Sequence, residues 1–350
     1  MAHADGETRT LTSKTLEPKS SASTNSATSA HFQVQVVMIP HLAVNRQVLA
    51  GKAIRRKSQL GLIIAGVLAV ASFKPVQGQS LPVLTPTTSE AVTYLNQGLQ
   101  QARAGNTESA IASFEQAVAL DKNLAPAHYN LGLALKDRGK LQAAADAFYR
   151  ALSINPNLAM AYANLGAALL EGNNLEQAQA YLERALELSP ELGIAHYNLG
   201  LVQREQGNPK TAIQHFRNAQ QYRSQAPEVP YHMGVAYLET NQLNEAKKAF
   251  EQAIRLNPHY GKAHYGLGSV LFQQKRKRAA LKVFQQAIKG NPELASAYYA
   301  SGVILFQQDK LAEARETLQQ AQQLYEKQQQ AKWAAYAKQF AQRTVDQSGN

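Results

Sequence analysis

Asparagine recurs every 34 residues in the middle of the chain, at Asn96, Asn130, Asn164 and Asn198. A carboxamide carries both a hydrogen-bond donor and an acceptor, so a row of these groups can pair with the backbone of an extended peptide whatever its sequence. At the next step of the same spacing stands His232. The column predicts a peptide-binding row of four asparagines and His232. The competing interpretation is that the amides tie neighbouring helices together.

Tyrosine occupies the column just before the asparagines, at Tyr129, Tyr197, Tyr231, Tyr265 and Tyr299. We assign Tyr129 and Tyr197 to the binding row, although packing between helices is the more common role of such rings. Three histidines, His128, His196 and His264, stand 68 residues apart. A metal ion needs its ligands within a few ångströms of one another, so this spacing predicts no metal site. No cofactor is expected.

Two groups of charged residues stand out. Lys275, Arg276, Lys277 and Arg278 are consecutive, with Lys282 close behind. Such a cluster can contact an anionic partner or anionic lipid headgroups, or it can be a solvated turn. A second column holds Asp137, Glu171, Glu205 and Glu239, and with Lys136 and Arg204 it predicts a mixed charged wall or a solvated helix face.

The composition excludes several classes of function. The chain has no cysteine, which removes disulfides, thiolate metal sites and cysteine nucleophiles. Its net charge is +11, but from residue 89 onward 27 Lys/Arg face 22 Asp/Glu, an excess of only five. That balance is too mild to predict nucleic-acid binding. The sequence contains no phosphate loop, no glycine-flanked serine nucleophile and no metal-spaced His/Glu pair, so we predict that the protein is not an enzyme.

The elements that position these residues repeat with the same 34-residue period. Glycine marks every step, at Gly98, Gly132, Gly166, Gly200, Gly234, Gly268 and Gly302. Alanine follows twelve and nineteen residues after each glycine, a large apolar residue lies between the two alanines, and four steps end near a proline. One globular domain has no reason to keep such a period, whereas a stack of two-helix units must present the same face to each neighbour.

These columns resemble the tetratricopeptide repeat (TPR) family. The stretches from Ala127 to Gly132 and from Ala195 to Gly200 match its first helix, and Ala246 to Pro258 matches its second. The resemblance implies an all-α fold, a right-handed superhelical solenoid of seven 34-residue helix-turn-helix units over residues 90–328. It also implies that the first helix of each unit lines a concave groove. In the family's receptor for chaperone tails the groove carries basic residues that are missing here, so that function is not expected.

Residues near both ends suggest further segments. Trp333, Tyr336 and Phe340 fall at helical spacing and predict a capping helix over residues 329–343, followed by a disordered tail at 344–350. At the other end, residues 1–57 read as a disordered leader with a basic flank at Arg55, Arg56 and Lys57. Residues 79–89 read as a linker, and the stretch between these two segments is apolar.

This apolar stretch, residues 58–78, predicts a signal peptide or an uncut signal anchor. Its core from Leu60 to Phe73 would span about 21 Å as a helix, short of the roughly 30 Å hydrocarbon core of a bilayer. Either interpretation exports the repeats to a periplasmic, lumenal or secreted location, or anchors them to the membrane on its non-cytoplasmic side. Because signal peptides start near their cleavage site, we also hypothesise that translation begins at or near Met38.

Taken together, the sequence predicts a scaffold or adaptor that holds an extended or helical segment of another protein in its groove. A membrane-tethered assembly factor for a membrane or envelope complex is the alternative within this class. An RNA-binding helical repeat is the alternative of another class, and the retained glycine and alanine columns and the predicted export argue against it. The sequence specifies neither the partner nor an oligomeric state.

Overall fold

The computed structural model describes residues 86–223 and 225–348, and these residues form helices joined by short turns and loops, with no β-strand. The fifteen helices are α1 (Pro86–Arg103), α2 (Thr107–Leu120), α3 (Ala125–Asp137), α4 (Leu141–Ile154), α5 (Ala159–Glu171), α6 (Leu175–Leu188), α7 (Gly193–Glu205), α8 (Pro209–Tyr222), α9 (Glu228–Glu239), α10 (Leu243–Leu256), α11 (Gly261–Gln273), α12 (Lys277–Gly290), α13 (Ala295–Phe306), α14 (Leu311–Lys327) and α15 (Ala331–Ser348).

Helices α1 to α14 form seven consecutive hairpins, which we call units one to seven. Each hairpin is packed internally, and its second helix packs against the first helix of the next unit. The predicted solenoid of seven two-helix units with a terminal capping helix is confirmed. The first helix begins at Pro86, so residues 86–89 of the sequence-based linker belong to unit one.

The glycine column exists because the second helix of each unit crosses the first at close range. At Gly132, a built Cβ would lie 2.7 Å from the ring of Phe148, a distance that no real side chain tolerates. Phe148 is itself fully buried, as are Ala144 and Ala151 on the same helix. The pattern of Gly, Ala, a large apolar residue (Phe in five units, Leu in two) and Ala therefore specifies the same close helix packing in all seven units.

The turns inside the units use the left-handed backbone region that ends a helix. Gly105, Gly139 and Gly207 have φ of +80°, +73° and +82°, and Asn173 and Asn241 have φ of +61° and +57°. Glycine and asparagine adopt this conformation with little strain, which explains why they occupy these turns. Lys275 and Asp309 take the same conformation in units six and seven, with φ of +61° and +57°.

Four of the seven second helices end just before a proline. Helices α4, α6, α10 and α12 each stop two residues before the proline column, and the residue between is extended or close to it. A proline disfavours the helical region for the residue before it, which explains this stop. Unit six also carries Gly290, whose absent side chain lets α12 lie against the carbonyl oxygen of His259, 2.6 Å from a built Cβ.

Helix α15 covers the last unit. Trp333 packs edge-on against Tyr299, with ring centroids 6.2 Å apart, and Phe340 contacts both Tyr299 and Phe306 at 6.0 Å. These contacts make Trp333 part of a core, as expected for a cap. The helix runs to Ser348, so residues 344–348, which the sequence assigned to the tail, are helical.

Candidate protein-binding groove

The first helices of neighbouring units form one continuous row. Direct helix-to-helix contacts join α1 to α3, α3 to α5, α5 to α7, α7 to α9 and α9 to α11. Second helices do not make comparable contacts with one another in the described part of the chain. The row of first helices is therefore the tighter, inner side of the stack, and we call its surface the inner row.

On the inner row, Asn164 of the asparagine column contacts the preceding unit. The Nδ2 of Asn164 in unit three donates to the hydroxyl of Tyr129 in unit two at 3.1 Å and to the carbonyl of Met160 at 2.9 Å. Both side chains are buried, and burial raises the pKa of Tyr129 to about 12, although the hydrogen bond from Asn164 opposes the shift. This pair locks two units together, so Tyr129 and Asn164 have a structural role.

The other members of the column differ in their surroundings. The Nδ2 of Asn130 donates to the carbonyl of Pro126 at 2.7 Å. Asn198 is only 5% exposed, and its Nδ2 finds no partner among the described residues. No tyrosine faces Asn198 from the preceding unit, because Ala163 stands in the place that Tyr129 takes relative to Asn164. Only Asn96 is exposed to solvent.

The fifth member of the column, His232, lies in an aromatic cluster between units four and five. Its ring centroid is 5.8 Å from that of Tyr197 and 4.8 Å from that of Tyr231. The ring of Phe216 stacks beneath it at 6.1 Å. Burial raises the pKa of Tyr197, so its phenol stays protonated at any physiological pH.

A charged cluster adjoins these rings and is centred on Arg204. The Nη1 of Arg204 donates to Nδ1 of His232 at 3.2 Å, and its Nη2 donates to Oε1 of Glu205 at 2.7 Å. Its Nε lies 3.9 Å from Oε1 of Glu239 in unit five and has no hydrogen-bond partner. The side chains of Arg204 and Glu239 are 15% and 18% exposed. We call Arg204, Glu205, His232 and Glu239 the inner polar cluster.

The carboxyl group of Glu239 is electrostatically unusual. Burial raises its pKa to about 7, Arg204 lowers it, and Glu205 raises it. A carboxyl that titrates near neutral pH changes charge under mild conditions, which is a common property of groups at binding sites. Because Arg204 is already shared among a histidine and two carboxyl groups, its charge is largely balanced within the cluster.

Sequence reasoning identified Arg204, Glu205 and Glu239 as parts of a mixed charged wall but did not join them into one site with His232. A sequence separation of 35 residues, one more than the 34-residue repeat, would have indicated which of these residues meet. That separation joins Arg204 to Glu239, Tyr129 to Asn164, and Lys136 to Glu171, whose Nζ and Oε1 lie 3.6 Å apart. It marks residues that meet across a unit boundary on the inner row.

The remaining predicted residues lie away from this site. Lys275, Arg276, Lys277 and Arg278 are exposed at the turn and helix start of unit six. His128, His196 and His264 use Nε2 to reach the carbonyl oxygens of Lys122, Pro190 and Pro258, at 2.9–3.0 Å. They close the loop that precedes each first helix. Across residues 86–223 and 225–348, no three His, Asp or Glu side chains are placed to hold a metal ion.

Models of one repeat family match most of this array. Models described as "Tetratricopeptide repeat" match residues 125–158, 164–227, 203–252, 231–284 and 276–329, and a model described as "TPR repeat" matches residues 98–139. This chain is a tetratricopeptide repeat protein. No curated protein sequence matches this TPR protein significantly.

Solved structures confirm the fold. A TPR protein from Parabacteroides merdae aligns with a TM-score of 0.56 at 19% identity, covering 73% of this chain and 99% of its own. The PilF protein of Pseudomonas aeruginosa aligns with a TM-score of 0.53 at 22% identity, covering 60% and 96%. The Cut9–Hcn1 assembly of the APC/C gives 0.57 at 21% identity, covering 61% of this chain and 42% of the matched chain.

The predictions for the leader, the signal segment and most of the linker concern residues 1–85, which lie outside the described residues. Helices α1 to α15 include none with the combination of length and apolar character that crossing a membrane requires.

Proposed function

We propose that this TPR protein is a non-enzymatic scaffold or adaptor that binds an extended or helical segment of another protein along its inner row. The observation that carries the proposal is the inner polar cluster beside the ring of Tyr197. It places a shielded arginine, two carboxyl groups and aromatic surface together on the side of the stack where first helices line up. Arginine and tyrosine in partly desolvated surroundings dominate the binding energy of protein interfaces.

The charge of this surface favours a partner segment that carries lysine or arginine. Along the strip from unit two to unit five, four carboxylates face two cations, at Asp137, Glu171, Glu205, Glu239, Lys136 and Arg204. Both cations already lie beside a carboxylate of the next unit. An incoming cation can therefore use the surplus carboxylates, whereas an incoming anion would have to displace one.

We further propose that the repeats act outside the cytoplasm, as predicted from the basic flank and the apolar stretch at residues 58–78. A soluble adaptor and a membrane-tethered assembly factor are the two forms of this proposal. Carbonate extraction of membranes separates them, because a soluble adaptor is released and an anchored factor is retained. Recovery of the repeats in the cytoplasmic fraction would contradict both forms.

Site-directed photocrosslinking in cells tests the binding surface. A photoreactive residue replaces Asn96, which is exposed, or Leu201, which is partly buried on the first helix of unit four. The matched control replaces Arg150, which is exposed on the second helix of unit two. We expect one partner to be captured from both inner positions, to be absent from the control, and to be lost when Arg204→Ala is added. Equal capture from all three positions would refute the inner row as the site.

A further inference from the structure

The positive charge of the array is concentrated in unit six. Between residues 252 and 292 there are eight Lys/Arg, of which Arg255 ends unit five and the other seven lie in unit six, and there is no Asp or Glu. Taking these eight from the 27 Lys/Arg that follow residue 89 leaves 19 against 22 acidic residues, so the rest of the array is slightly negative. Unit six is therefore a local cationic region in an otherwise balanced protein.

Five of these cations share one edge of the unit. Lys275 and Arg276 form the turn between α11 and α12, Lys277 and Arg278 begin α12, and Lys282 follows Arg278 by one helical turn. All five side chains are exposed. None of them pairs with a carboxylate within the described ranges, although Lys136, Arg204, Lys247 and Lys310 in other units do. We call these five residues the basic edge.

The basic edge is held at a cost to the fold. Lys275 has φ of +61°, a conformation that strains a side chain with a Cβ and that units one to five assign to glycine or asparagine. Lys277 and Arg278 lie in the first turn of α12, where the helix dipole disfavours positive charge. Units one, three, five and seven instead place a glutamate in the first turn of the second helix. An anion beside the edge offsets the charge penalties.

The surface chemistry of the edge fits a phospholipid membrane better than a protein. The large apolar side chains that are exposed in the described chain, Val92, Tyr149, Met160, Tyr222 and Val345, all belong to other units or to α15. A protein interface needs an apolar or aromatic core, which the basic edge lacks. An anionic bilayer binds clusters of four to eight lysines and arginines through charge alone.

We propose that the basic edge of unit six docks on the headgroups of anionic phospholipids and so orients the array against a membrane surface. The docking is independent of the protein partner on the inner row. The apolar stretch from Leu60 to Phe73 offers a tether in the same chain, and a tether raises the effective concentration of a weak contact at the surface.

The absence of cysteine from the chain allows a position-specific test on the full-length protein. A single fluorophore is attached at Gln286→Cys, which is exposed one turn beyond Lys282 on α12. The control label is Asn218→Cys, the exposed residue in the same column of unit four. Each labelled protein is mixed with vesicles of phosphatidylcholine, or of phosphatidylcholine and phosphatidylglycerol, that carry a quencher on the headgroup.

The expected result is quenching at residue 286 with phosphatidylglycerol present, weak quenching with phosphatidylcholine alone, and weak quenching at residue 218 throughout. Replacing Lys275, Arg276, Lys277 and Arg278 by glutamine should lower the fraction quenched at residue 286 at least tenfold. Each Lys or Arg near an anionic surface adds substantially to the free energy of membrane binding. The matched variant replaces four exposed and unpaired cations of other units, Lys122, Lys140, Arg150 and Lys210, and should leave quenching unchanged.

Three outcomes would overturn the proposal. Equal quenching at residues 286 and 218 would show adsorption without orientation, and unchanged quenching in the first glutamine variant would show that the basic edge is not the contact. The third outcome is that the glutamine substitutions weaken binding to RNA, to an acidic polypeptide or to a second copy of the chain but do not weaken binding to vesicles. Salt-dependent band shift and sedimentation, both without vesicles, measure these other interactions. Circular dichroism of both variants ensures that the comparison is between folded proteins.

Discussion

Arg204 of unit four and Glu239 of unit five meet across a unit boundary, with 3.9 Å between Nε and Oε1. Lys136 and Glu171 hold the same relationship between units two and three, at 3.6 Å. The two pairs differ in exposure, because the side chain of Glu171 is 51% exposed and that of Glu239 is 18% exposed. The pair of Arg204 and Glu239 is the more shielded of the two, and the protonation of Glu239 is coupled to folding.

A pH dependence of stability follows from Glu239. Because folding raises the pKa of this carboxyl from 4.5 to about 7, its contribution to stability is complete below about pH 4.5 and is lost as the pH rises through about 7. We expect Glu239→Gln to be more stable than the natural protein by ~1 kcal/mol at about pH 8 and nearly equal to it at about pH 4.5. Urea denaturation at the two pH values measures the difference.

The control for this prediction is Glu171→Gln, the same column in unit three, where the carboxyl is more exposed and close to Lys136. This variant should show no such gain at the higher pH. A Glu239→Gln protein whose stability falls with pH in parallel with the natural protein would show that the carboxyl is not the origin of the effect.

The bond between Tyr129 and Asn164 predicts a modest loss of stability. Tyr129→Phe removes the acceptor for one of the two Nδ2 hydrogen bonds and should cost ~1 kcal/mol in the free energy of unfolding. Tyr197→Phe is the matched control, because the residue 35 positions after Tyr197 is His232 rather than asparagine. If both variants lose the same amount, the hydroxyl of Tyr129 has no special role between units.

Partner binding should depend on Arg204. Arg204→Ala removes the guanidinium that holds Glu205, Glu239 and His232 in one arrangement for the cation of a partner, and we expect at least a tenfold weaker affinity for the captured partner, or roughly 1.4 kcal/mol or more. Arg184→Ala removes an exposed arginine that pairs with Glu187 on a second helix, and it should have no effect. Titration with the purified partner gives both affinities, and equal values would exclude the inner polar cluster.

The turn of unit six predicts a gain in stability paired with a loss of membrane contact. Lys275→Gly relieves the strain at φ of +61° and should stabilise the array by ~1 kcal/mol. Lys277→Gln removes the same charge from the first turn of α12, where it relieves only the unfavourable interaction with the helix dipole, and should change stability less. Thermal or urea unfolding and the vesicle assay measure the two effects. A Lys275→Gly protein that is less stable than the natural one would contradict the strain argument.

The repeat period allowed the number of units to be predicted, since a steric pattern such as Gly132 against Phe148 is local and recurs, and the helical spacing of Trp333 and Phe340 allowed the terminal cap to be predicted. The surroundings of the asparagine column could not be read in the same way. Whether an amide such as Asn164 also bonds across a unit boundary depends on the residue 35 positions earlier and on the relative placement of two units. The exposed fraction of Glu239 depends on how α9 packs against its neighbours, which residue types alone do not encode.

The alanine at position 163 has a consequence for how this array can change in length. Excising the 34 residues of unit three would bring Tyr129 into register with Asn198, and its hydroxyl would reach the amide that now lacks an acceptor. The same excision would set Lys136 opposite Glu205. In a chain shortened in this way, the new unit boundary would thus carry both a tyrosine–asparagine pair and a lysine–glutamate pair.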